Sequence, residues 1–175
     1  MKVITRRSLT FFVAKKRWRI IGMPKTKLQD VIFTIMMVIV MVYAMVVYNI
    51  SIDKGGVTNE VFVLAFGELI LMGIVGFILE MLVAGPLAKK LAFRLVTPGK
   101  DKMIYVILAI SSITVCLMCP MMSFVATVLF KGFNSQLIAN WVQTTALNFP
   151  MALCWQIFFA GPFVRLLFRH MFPEK

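Results

Sequence analysis

Glu68 and Glu80 are the two acidic side chains that fall inside long apolar stretches of this chain. A carboxylate in hydrocarbon is costly, so such a residue faces a cavity, binds a proton or cation, or pairs with a base, and it marks a candidate functional position. Glu68 lies only about 10 Å from the nearer end of its helix and has no basic neighbour in sequence. It is the candidate for proton or cation binding, with a hydrogen-bonded structural acid as the alternative. Glu80 lies about 28 Å along the same helix, where Lys89, Lys90 or Arg165 come within reach as ion-pair partners. The two acids are about 120° apart around a straight helix, so they form no single carboxylate pair and hydrolysis by such a pair finds no support. Pro120 and Pro150 each remove an amide and free the carbonyl four residues earlier, on Cys116 and Ala146. Gln143, Asn148 and Gln156 sit around Pro150 as a polar seam without charge, and Glu68, Gln143 and Asn148 together are the candidate intramembrane polar site. Cys116 and Cys119 share a helical face near Met118, Met121 and Met122, and thiolates with thioethers select Cu(I). With 14 Met in the chain, however, residues such as Met36, Met37, Met41 and Met45 read as soft apolar packing. The single histidine, His170, has no nucleophile at a recognisable spacing. The sequence therefore predicts no enzyme, no resident metal and no cofactor.

The elements that must position these groups follow from composition. Of 175 residues, 61% are hydrophobic and 15% charged, against about a quarter charged in soluble domains. Four apolar stretches are long enough to cross a bilayer: roughly 31–50, 61–84, 103–130 and 137–160. They are apolar all round, as in Val31 to Tyr48, which excludes the alternation of a barrel. The expected fold is an all-α integral membrane protein whose four transmembrane helices form two tandem hairpins. Residues 1–30 make a basic cytoplasmic or interfacial segment, 31–97 the first two-helix unit, and 98–175 the second with a basic tail. Trp141 and Trp155 are expected towards opposite interfaces.

The net charge of +12 is placed unevenly. Nine basic residues precede the first span, five lie from Lys89 to Lys102 and three from Arg165 onward, whereas only Lys54 and Lys131 occupy the alternate loops. Basic residues are retained in the cytoplasm, so both termini are expected there and the membrane is the cytoplasmic one. The charge is matched by anionic lipid rather than nucleic acid. Three cysteines, all within spans, give no disulfide framework.

A duplication is visible in Ala84, Gly85, Pro86, Leu87, Ala88, Lys89, which recurs as Ala160, Gly161, Pro162, Phe163, Val164, Arg165. Proline there ends a span or begins a short amphipathic helix, glycine supplies the freedom to turn, and the cation meets headgroups. Glu80, Gly85, Pro86, Lys89, Gly161, Pro162 and Arg165 are thus candidate structural or lipid-facing residues. With Met23 to Lys27, Ile32, Phe33, Thr34, Tyr48, Asn49, the run from Val83 to Arg94, Cys119 to Ser123 and Asn148 to Pro150, the chain resembles the bacterial domain of unknown function 2798 family. The resemblance covers Met23 to Phe172 and implies a small four-helix bacterial membrane protein of two tandem units, without an assigned activity. Residues Met1 to Gly22 lie outside it, as an extension or through an upstream start codon.

The expected function is transport or permeation of an unknown substrate. The alternative is a noncatalytic accessory protein that binds anionic lipid or a membrane partner. Glu68 separates them, since a transporter places it against a polar cavity. A homo-oligomer through the Gly73 and Gly76 face is also expected, because small residues let helices approach closely.

Overall fold

The computed structural model describes residues 26–97 and 101–172. Most of the expected interfacial segment, and residues 98–100 of the turn after Thr97, lie outside these. Helix α1, Lys27–Asp53, starts ahead of the first apolar residue. The Thr26 hydroxyl accepts from the Gln29 amide at 3.2 Å, and Asp30 places an acid in the first turn, both favourable at a helix N-terminus.

Helix α2 spans Asn59–Leu79 and continues through a π-turn, Glu80–Ala84, into α3, Gly85–Leu95. Helix α4 is Met103–Ala126, closed by a π-turn at Thr127–Lys131. Helix α5, Leu137–Trp155, passes through a third π-turn, Gln156–Ala160, into α6, Gly161–Met171. Four continuous helical rods result, all long and apolar enough to cross a membrane.

The Gly-Pro segments therefore do not end their helices. Pro86 and Pro162 have no N–H to give, and their rings exclude the carbonyl four residues back. The register instead widens just ahead of each proline: the Gly85 amide donates to the Glu80 carbonyl, and the Gly161 amide to the Gln156 carbonyl. Nor does glycine act through conformational freedom, since Gly85 and Gly161 are helical, with φ of −61° and −59°. They are glycine because a Cβ at either position would stand 2.7 Å from that same carbonyl oxygen. The two π-turns occupy equivalent places in the duplicated sequence, so the repeat extends to an irregular backbone feature.

Each first helix packs on the second of its own unit, α1 on α2 and α4 on α5, while α3 reaches across to α4 and α6 to α1. The α1–α2 seam is a ridge of Val38, Val42, Val46 and Ile50 against Val61, Ala65 and Met72. Phe33 and Phe168 close α6 onto α1, edge to face at 5.5 Å. Gly76 belongs to this interior: a Cβ there would meet Val42 Cγ2 at 3.3 Å and Met122 Cε at 3.5 Å. It is thus spent on packing within the chain, which removes it from the expected oligomer face. Gly73 has only its own helix nearby, Leu69 Cδ1 at 3.9 Å. The opposite face of α2 exposes Val63, Phe66 and Ile70, and Leu82 in the following π-turn is exposed as well.

Helices α4 and α5 stay continuous through Pro120 and Pro150. The Trp141 indole donates to the Pro120 carbonyl at 2.9 Å, tying the first half of α5 to α4. Trp155 stacks on Phe159, with centroids 5.1 Å apart.

Candidate functional site

A cavity of about 620 Å³ lies within the bundle. Helix α1 lines it at every third and fourth position from Asp30 to Asn49, a run of about 28 Å by the α-helical rise and close to the thickness of a hydrocarbon core. Helix α4 lines it in the same way from Val106 to Ala126. The first helices of the two units thus supply its long walls, while Met72, Glu80 and Met81 close one side and Asn148, Ala152 and Gln156 the other.

Its walls are mainly apolar, and methionine recurs on them at 37, 41, 45, 72, 81, 118 and 122. Polar groups gather at the ends. Towards the start of α1, Asp30, Glu80, Lys89, Arg165, Ser111 and Gln156 border the cavity. Lys89 Nζ pairs with Asp30 Oδ2 at 3.0 Å, joining α3 to α1. Glu80, expected to pair with Lys89, Lys90 or Arg165, forms no ion pair among the described residues, although Lys89 and Asp30 lie in electrostatic range. The reason is that Asp30 on the facing helix captures the lysine at closer range. Arg165 donates from Nη2 to the Ser111 hydroxyl at 3.5 Å, and among the described residues no acidic side chain pairs with it. Gly161 makes room for this guanidinium, whose Nη1 lies 3.2 Å from where a Cβ would stand.

Further along the cavity, Asn148 is 5% exposed and donates from Nδ2 to Ser123 Oγ at 3.4 Å, while its buried Oδ1 has no partner among the described residues. Ser123 is buried beside Thr127, whose hydroxyl donates back to the Ser123 carbonyl at 2.7 Å. Cys119 lines the cavity near Met41 and Met45, whereas Cys116 and Cys154 are exposed on other faces. Among the described residues no three His, Cys, Asp or Glu side chains come together as a metal set.

The expected site of Glu68, Gln143 and Asn148 is therefore not assembled. Asn148 lines the cavity, but Glu68 and Gln143 do not, and Gln143 is exposed. Five residues separate Gln143 from Asn148, about 140° around a helix, which turns them to opposite sides. The interior carboxylate is Glu80 instead. Asp30, Ser111 and Ser123 were not singled out by sequence reasoning; the signal for them is the small polar residues recurring at helical spacing on α1 and α4. Lys54, at the opposite end, pairs with Glu60 at 3.4 Å across the loop, away from the cavity.

The chain belongs to the family described as domain of unknown function 2798 (DUF2798), whose sequence model matches twice, over residues 26–96 and 104–172. It is similar to an uncharacterized protein of Bacillus subtilis (strain 168), YybC, being 35% identical over 157 residues, which cover 87% of this chain and 97% of that protein. No solved structure matches.

Proposed function

We propose that this member of the DUF2798 family is a noncatalytic multipass protein of the bacterial cytoplasmic membrane, with both termini cytoplasmic, that passes a solute through its interior cavity. The observation that carries this reading is the convergence of Asp30, Glu80, Lys89 and Arg165 on one end of a single cavity, with Glu80 and Arg165 more buried than Lys89. Charged groups within apolar helices that face an interior space are the usual markers of a solute or ion path. Glu80 takes the part that the sequence had given to Glu68. The cavity also extends to Asn49 and Asn148, so polar groups stand near both ends of a mainly apolar path.

The reading is tested by single cysteines at Asn49 and Ser111, towards the two ends of the cavity, in a background lacking Cys116, Cys119 and Cys154. A charged, membrane-impermeant methanethiosulfonate is added to either side of sealed vesicles. Passage requires each position to react from both sides. Reaction of each from one side only would describe a closed pocket and favour the accessory, ligand-holding role, which the mainly apolar walls also suit.

A further inference from the structure

The two units treat their equivalent cations differently. Lys89 and Arg165 occupy matching places, each one turn beyond its Gly-Pro segment, and each reaches for the first helix of its own unit. Helix α1 meets Lys89 with a carboxylate, Asp30 in its first turn. Helix α4 has no acid in its first turn; Val106 and Ile107 there are buried in an aliphatic cluster with Val96 and Ile110. Arg165 is left with the Ser111 hydroxyl at 3.5 Å and no acidic partner among the described residues. A guanidinium in an apolar interior needs a counter-charge, and its fork of donors suits a carboxylate or phosphate.

We propose that Arg165 and Ser111 bind the anionic head of a single-chain amphiphile, a carboxylate or a phosphate ester, whose alkyl chain lies along the methionine-lined cavity. An inorganic anion would leave most of the space of about 620 Å³ empty. Mainly apolar walls with a few orienting polar groups fit a ligand of mixed character, and methionine adapts to a flexible chain. Glu80 borders the same end of the cavity but forms no ion pair with Arg165 among the described residues. This inference deepens the permeation reading by naming the class of solute, and it rests on that reading only in requiring that the cavity admit a ligand.

The test is equilibrium binding of dodecyl phosphate to the full chain in non-ionic detergent. The wild type binds, and Arg165→Gln weakens binding about tenfold or more, as expected for a lost charge-assisted contact. Arg165→Lys retains most of the affinity, which separates loss of charge from loss of fold. Lys90→Gln stays within about twofold, because that cation is exposed and does not line the cavity. Equal losses in Lys90→Gln and Arg165→Gln would overturn the proposal in favour of general surface electrostatics. Dodecanol binding as tightly as dodecyl phosphate would overturn the anion site, and inorganic phosphate competing at equal concentration would overturn the tail. Displacement by lysophosphatidylglycerol assigns the head to a single-chain membrane lipid, and failure to displace assigns it to a free amphiphile; both support the site. Because binding in detergent requires no passage, one-sided cysteine access with intact binding sinks the permeation reading alone.

Discussion

Alanine at Gly85 or Gly161 is expected to destabilise the protein, against the usual gain from removing glycine within a helix. The new methyl would stand 2.7 Å from the carbonyl oxygen of Glu80 or Gln156, well inside ordinary contact. That oxygen is backbone and accepts the glycine's own amide in the π-turn, so it cannot swing aside as a side chain would. Relief requires opening this bond, at about 1 kcal/mol, and shifting packed helices, at a further 1–3 kcal/mol or so. Helix propensity returns about 1 kcal/mol to alanine. The expected net loss is roughly 1–3 kcal/mol for each substitution. Gly73→Ala is the control: its nearest neighbour is 3.9 Å away, so stability should rise by up to about 1 kcal/mol. Thermal unfolding in non-ionic detergent, followed by tryptophan fluorescence and by retention of a monodisperse species, reads all three. A Gly161→Ala protein as stable as wild type would refute the close-approach argument, and with it the reason given for glycine at both positions.

Three further outcomes follow from named contacts. A double-mutant cycle of Asp30→Asn and Lys89→Gln should give a coupling of only about 0.2–1 kcal/mol, because both side chains remain partly exposed; a coupling several times larger would show a desolvated pair. Trp141→Phe keeps the ring against Phe124 but loses the 2.9 Å bond to the Pro120 carbonyl, for an expected loss of about 0.5–1.5 kcal/mol in thermal unfolding, and no change would mean that this bond adds nothing. Cysteine labelling in intact cells should reach positions 54 and 131 from outside and position 100 from inside, as the basic-residue asymmetry requires, and position 100 outside would reverse the orientation.

The number and approximate limits of the long helices were legible in the sequence because uninterrupted apolar runs leave the backbone few alternatives to a helix. The short helices after Ala84 and Ala160 were legible as one of the two readings of Gly-Pro, but their unbroken junction with the preceding helix was not, since it depends on a register change. Gln156 and Asn148 both line the cavity, whereas Gln143 was grouped with them by proximity in sequence although its helical angle points elsewhere. Glu68 drew attention as an isolated acid, yet the cavity takes Glu80, because it lies between α1 and α4 and only one face of α2 reaches it. Asp30 escaped notice because it sits in the first turn of a helix, where an acid has a sufficient local explanation. Its pairing with Lys89, far along the chain, depends on how the units pack.

The central claim is that the functional surface of this protein is interior. Thr114 lines the cavity midway along α4, so it reports on that claim without touching the charged end. In a background lacking the three native cysteines, Thr114→Cys should react with a small charged methanethiosulfonate in intact membranes, and dodecyl phosphate should slow the reaction. A Thr114→Cys protein that folds as a monodisperse species but reacts only after unfolding would show a dry, closed interior and contradict the account.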